Sequence, residues 1–120
     1  MVKRKKISLC IPVYNEQENA PVIVPTVDAA LESIAGVYDL EFLFTDNCST
    51  DKTFEILSEI AENDPRVKVI RFSRNFGYQK SILQGYLRSS GDCAVQLDAD
   101  LQDSPDIILK FIDVANPISY

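Results

Sequence analysis

The chain has 120 residues, enough for one domain with a real core and too few for two of ordinary size. Hydrophobic residues make up 46% and charged residues 25%, the usage of a folded globular domain and not of a disordered one. A net charge of −6 argues against a nucleic-acid partner, and the absence of histidine excludes His-based triads, His acid–base chemistry and the commonest zinc sites.

The one basic run, Lys3-Arg4-Lys5-Lys6, precedes an apolar segment. It reads either as a solvated lead-in or as a contact for anionic lipid headgroups. Ile7 to Ile11 follows as a buried strand ended by Pro12. A helical stripe comes next at Ile23, Val27, Ala30, Leu31 and Ile34, with its start at Pro21 or only at Pro25, and Gly36 closing it. Tyr38 to Phe44 is a second strand, and Asp51 caps a helix with the apolar face Phe54, Leu57, Ile60 and Ala61, stopped by Asn63-Asp64-Pro65. Val67 to Phe72 is a third strand. Ile82, Leu83, Tyr86 and Leu87 mark a third helix ended by Gly91. Cys93 to Leu97 is a fourth strand, and Ser104-Pro105-Asp106 caps a fourth helix through Ile107, Ile108, Phe111 and Ile112.

This alternation implies an α/β fold with a parallel sheet and helices on both faces. Cys10, Cys48 and Cys93 form no CxxC pair, which favours free thiols and a reducing compartment. No signal peptide and no stretch approaching about 20 apolar residues is visible, so a soluble, cytoplasmic protein is expected.

Ligands of such sheets bind beyond the carboxyl ends of the strands. The distinctive polar residues fall there: Tyr14-Asn15-Glu16, Asp46-Asn47, Ser73-Arg74-Asn75 and Asp98-Ala99-Asp100. Asp98 and Asp100 end an apolar run and share a face if the backbone stays extended. Two neighbouring carboxylates suit Mg²⁺ or Mn²⁺ bridging to phosphate oxygens, or else form a solvated loop before the next helix. Asp46 and Asn47 either make turns and caps or reach a base or ribose. Arg74 either meets a phosphate or pairs with a carboxylate of this acidic chain. Neither GxGxxG nor a P-loop occurs.

Together, Ile11-Pro12-Val13-Tyr14-Asn15-Glu16, Asp46-Asn47-Cys48-Ser49-Thr50-Asp51-Lys52-Thr53, Ser73-Arg74-Asn75-Phe76-Gly77 and Asp98-Ala99-Asp100-Leu101-Gln102-Asp103 resemble family 2 glycosyltransferases. The last two are similar to the subgroup of dolichol-phosphate mannose synthases and bactoprenol glucosyltransferases. The resemblance implies a Rossmann-like GT-A three-layer sandwich, of which residues 1–120 would form a single nucleotide-sugar-binding domain, its N-terminal half. It implies that Pro12, Tyr14 and Glu16 line the nucleotide pocket and that Thr45 and Asn47 contact base or ribose. Asp98, Ala99 and Asp100 would meet ribose, diphosphate and metal, and Gln102 would join the metal shell.

The implied reaction is inverting, metal-dependent transfer of a sugar from a nucleotide-sugar, often onto a polyprenyl phosphate at the inner face of the membrane. Acceptor-side residues and any base would lie beyond the chain, so a nucleotide-binding module without turnover is the alternative. Nucleotidyltransferases, a third class, need a Gly-rich basic loop after strand one that is absent. Asn47 stands where the family usually has Asp. An amide offers one acceptor and one donor, which favours UDP over GDP. A sheet cut short would expose an edge or an apolar face, making self-association an expectation.

Overall fold

The computed structural model describes residues 4–100 and Leu109. The elements run β1 (Lys5–Val13), α1 (Ala20–Ala30), a short 3₁₀ turn (Glu32–Ile34), β2 (Tyr38–Asp46), α2 (Thr53–Asn63), β3 (Val67–Arg71), α3 (Tyr78–Arg88) and β4 (Cys93–Gln96). All strand pairs are parallel, in the order β3-β2-β1-β4. The expected fourth helix falls outside the described residues except for Leu109, which is helical and packs against the core.

Side chains alternate across the sheet, so strand parity sorts the residues onto two faces. Ile7, Leu9, Ile11 and Val13 of β1 join Phe42 and Phe44 of β2 and Val95 of β4 in one cluster. Ile23 and Val27 of α1 and Leu57 of α2 close that cluster, so α1 and α2 cover this face. Each fully buried Phe, Ile or Leu contributes about 1.5–3 kcal/mol. The second face carries Leu43 beside the smaller or polar Ser8, Cys10, Glu41 and Thr45, and α3 lies over it alone among the described helices.

Pro12 does not end the first strand; it pairs with Thr45 inside it. Parity explains this. Cys10 directs its carbonyl towards β4, receiving Leu97 N–H at 3.0 Å, while Val13 directs its own towards β2, receiving Asn47 N–H at 2.9 Å. Pro12 shares the parity of Cys10, so its missing N–H faces the β4 side. The β1–β4 ladder has already stopped there at Cys10↔Gln96, and no ladder bond is lost.

Three further expectations shift. The first helix starts at Ala20, with Pro21 in its first turn and Pro25 inside it. Pro21 and Pro25 both face solvent, so water can serve the carbonyl that Pro25 leaves without a donor. Ile34 belongs to the 3₁₀ turn and not to the helix. On α2, Ile56, Leu57, Ile60 and Ala61 face the core, whereas Phe54 sits under the Arg71 guanidinium, 4.7 Å from ring centroid to carbon.

The third helix departs most from expectation. It starts at Tyr78 and ends at Arg88, before Gly91, and it turns Ser81 and Gly85 to the sheet. Leu83, Tyr86 and Leu87 remain exposed. A Cβ at Gly85 would lie 3.1 Å from Cys10 Cβ, so the close approach of helix and strand depends on that glycine.

Candidate functional site

The chain returns from β3 across the sheet to β4, on the other side of β1, and so creates a switch point at the carboxyl ends of β1 and β4. A cavity of about 480 Å³ opens there, lined by Pro12, Val13, Tyr14, Glu16, Asn47, Asn75, Gly77, Tyr78, Asp98, Ala99 and Asp100. Residues from all four strand ends therefore meet in one crevice.

Two loops form its floor, held together by side chain–backbone bonds. Asn15 takes a left-handed φ of 50°, which Asn tolerates better than most residues. Its Oδ1 accepts Thr50 N–H at 2.8 Å, and its own N–H donates to Ser49 Oγ at 2.9 Å. Glu16 N–H donates to Thr53 Oγ1 at 2.8 Å. Asp51 is not the N-cap of α2, which is Lys52; from one residue earlier its Oδ1 accepts Thr53 N–H, the first amide of the helix, at 2.9 Å, while its Oδ2 accepts Gln17 N–H at 3.3 Å. The Ser- and Thr-rich segment after β2 thus braces the loop after β1, so that Tyr14 and Glu16 are presented on a fixed frame.

Asp46 and Asn47 take different parts. Asp46 is fully buried and outside the cavity lining; its Oδ1 accepts Ser49 N–H at 3.2 Å and Ser49 Oγ–H at 2.5 Å. Its Oδ2 has no hydrogen-bond partner and lies 3.7 Å from Arg71 Nε, a charge neighbour beyond bonding distance. Asn47 faces the cavity. Its Oδ1 accepts Phe76 N–H at 3.3 Å and its Nδ2 reaches Gly77 O at 3.5 Å, long contacts that a stronger partner can replace.

Thr45 is buried beneath α3 and shares a 2.7 Å hydrogen bond with Ser81 Oγ, so it anchors the helix and does not line the crevice. Arg74 is also outside the lining; its guanidinium stacks on Phe76 at 4.7 Å. Gln102 lies outside the described residues.

The strand before the acidic pair ends at Gln96, one residue earlier than expected, and the chain turns at Ala99-Asp100. Both carboxylates still line the cavity, while Ala99 between them packs into the core. The apolar spacing of the third helix, which begins at Ile82, does not reveal Tyr78. Gly77, with φ 94°, begins that helix at the crevice, and its position just after the third strand end was the available signal. The Tyr78 hydroxyl donates to Asp98 Oδ1, and Gln96 Nε2 donates to both the Tyr78 oxygen and Asp98 Oδ1 at 2.6 Å. Burial, then Asp98 and the more distant Asp100, push the Tyr78 phenol up to about 12, so it stays a donor at neutral pH.

Among the described residues no three carboxylate, thiol or imidazole groups cluster as a metal site. Asp98 and Asp100 supply hard oxygen donors, which fit Mg²⁺ or Mn²⁺ with phosphate oxygens and water completing the shell. The fit is one of donor chemistry.

The model of glycosyl transferase family 2 matches residues 8–117. The undecaprenyl-phosphate 4-deoxy-4-formamido-L-arabinose transferase of Yersinia enterocolitica is 38% identical over 115 residues, covering 94% of this chain and 34% of that protein. That of Yersinia pestis is 39% identical over 113 residues, covering 92% and 34%. The chain therefore spans about a third of the length of these relatives.

Among solved structures, S. aureus TarS 1-349 in complex with UDP-GlcNAc superposes with a TM-score of 0.67 at 21% identity, over 91% of this chain and 31% of that one. The mannosyltransferase PcManGT from Pyrobaculum calidifontis, in complex with GDP-Man and Mn²⁺, gives 0.63 at 24%, over 82% and 28%. At these identities the likeness is one of fold, the Rossmann-like GT-A sandwich. With the family model spanning the four strand-end motifs that build the crevice, the chain belongs to glycosyl transferase family 2.

Proposed function

We propose that this chain forms the donor-binding part of a metal-dependent, inverting glycosyltransferase that takes a nucleotide-diphosphate sugar in the switch-point crevice. The observation that carries the reading is the convergence of Asp98, Asp100, Asn47 and Tyr14 on one cavity. Family membership supports it, as do the nucleotide-sugars in the structures of similar fold.

Asp98 and Asp100 would hold the divalent cation, which supplies charge neutralisation to the departing diphosphate. Tyr14 and Pro12 form the wall for the nucleoside, and Asn47 reads the base. Uracil presents an N–H flanked by carbonyl oxygens, which matches the acceptor and donor of one carboxamide. Guanine presents two adjacent donors and asks for two acceptors. The donor is therefore assigned as a UDP-sugar.

The acceptor is assigned as a polyprenyl phosphate, on the names of the 38–39% identical relatives. Such a phosphate is already anionic at neutral pH and needs little help from a base, consistent with a histidine-free chain. The reaction would then take place at the inner face of the membrane. Among the described residues no helix is long and apolar enough to cross one.

Calorimetric titration with UDP and GDP, in Mn²⁺ and in chelator, tests the site. Metal-dependent UDP binding that disappears in an Asp98→Asn/Asp100→Asn variant is expected. Tighter binding of GDP would overturn the base assignment, and binding without UDP release from any UDP-sugar would leave a nucleotide-binding module.

A further inference from the structure

α3 is turned inside out relative to its apolar content. Against the sheet it buries its small residues, Gly85 on Cys10 and Ser81 on Thr45. Leu83 and Leu87 consequently stand 53% and 67% exposed on the opposite side. Lys80 lies on the same stripe, three residues before Leu83 and seven before Leu87, while Arg88 follows Leu87 at the end of the helix, one turn after Gln84 and still exposed.

Residues 66–91 hold six of the chain's twelve Lys and Arg and none of its eighteen Asp and Glu. Arg66, Lys68 and Arg71 pair with carboxylates around β3 and Arg74 stacks on Phe76, which leaves Lys80 and Arg88 as the two cations of α3. Among the described residues Lys80 and Arg88 form no ion pair, and Arg88 donates only to Gln84 Oε1, at 3.3 Å. By contrast, Arg4 of the N-terminal basic run pairs with Asp39 at 3.0 Å and donates to the Ala35 and Tyr38 carbonyls, and Lys6 donates to Ser90.

We infer that the outer face of α3, with Leu83 and Leu87 flanked by Lys80 and Arg88, docks on an anionic lipid bilayer. Leucines that enter the headgroup boundary regain the burial the sheet denies them, and cations beside them meet lipid phosphates while their stems cover apolar surface. A helix with exposed apolar residues interleaved with unpaired cations suits that medium better than a neutral protein surface. α3 begins at the crevice, where Tyr78 lines the cavity, so docking sets the crevice beside the bilayer. The consequence for a lipid-linked acceptor rests on the function proposed above; the docking itself does not.

Co-sedimentation of the whole chain with phosphatidylglycerol-containing vesicles tests the inference against pure phosphatidylcholine vesicles. Binding to the first, weakening with salt, is expected. Lys80→Gln/Arg88→Gln should weaken it by about thirtyfold, from roughly 1 kcal/mol per cation. Leu83→Ser/Leu87→Ser should also release the protein, and both variants sit on the surface, so circular dichroism should be unchanged.

Equal binding by wild type and both variants, loss only on Lys5→Gln/Lys6→Gln, or a dimer that the leucine variant dissolves in light scattering would each overturn it. Neither double variant touches the crevice. UDP titration on the same samples therefore separates failure of docking from failure of the donor-site reading.

Discussion

Asp98 Oδ1 accepts from both the Tyr78 hydroxyl and Gln96 Nε2, which uses the lone pairs of that oxygen and leaves Oδ2 as the open position of the carboxylate. Two elements on different sides of the switch point, the first turn of α3 and the end of β4, thus fix one rotamer of the acidic pair. Donors behind a ligating group orient it as much as the ligand's own backbone does.

Tyr78→Phe removes one of these donors without changing the shape of the cavity wall. Metal-dependent UDP affinity should fall about tenfold, at the low end for loss of an orienting partner. Calorimetry in Mn²⁺ reads this, and an unchanged affinity would show that Asp98 needs no such support.

Asn15 serves the loops through its conformation and its side chain together. Asn15→Gly keeps the left-handed φ but hands the exposed Thr50 N–H to water, and should cost about 0.5–1.5 kcal/mol. Asn15→Ala adds backbone strain of roughly 1 kcal/mol more. Urea midpoints of the two variants give the order, and equal losses would remove the backbone contribution.

Glu41 is the hub of a polar row across the sheet, accepting from Ser8 Oγ at 2.7 Å, Lys68 Nζ at 2.8 Å and Ser90 N–H at 3.0 Å. Burial raises its carboxyl, but the Lys68, Ser90 and Ser8 hydrogen bonds outweigh this and hold it at about 2, below the ordinary 4.5. The folded state therefore binds this proton less readily than the unfolded chain. Its stabilisation is complete above pH 4.5 and is lost as pH falls towards about 2. Glu41→Gln should cost about 2 kcal/mol at neutral pH and flatten that part of the acid-unfolding curve. A curve of unchanged slope would place the acid sensitivity elsewhere.

Gly91 packs directly on the start of β1. A Cβ there would lie 2.5 Å from Ser8 Oγ, 2.8 Å from Ser8 N and 2.9 Å from Lys6 O, and the last two are backbone atoms that cannot swing away. Gly91→Ala should therefore destabilise the domain by about 1–3 kcal/mol. Thermal melting checks it, with Gly36→Ala, which meets nothing within 4 Å, as the comparison.

The order of elements, the parallel sheet and the gathering of Tyr14, Glu16, Asn47, Asp98 and Asp100 at one end were legible in the residues. Short apolar runs and helical stripes are local patterns, and the rule that ligands sit at strand carboxyl ends converts them into a site. Phe54, Thr45, Tyr78 and α3 were not legible in the same way. Which side of a helix is buried depends on what the opposing sheet face offers, and that face is assembled from strands far apart in the chain. Ser8, Cys10, Glu41 and Thr45 come together only once β1 and β2 pair in register. Pro12 shows the same division. The residues alone suggest that the proline ends the strand, whereas the order β3-β2-β1-β4 keeps it inside β1 and turns its missing N–H to the side that β4 has already left, where the crevice opens.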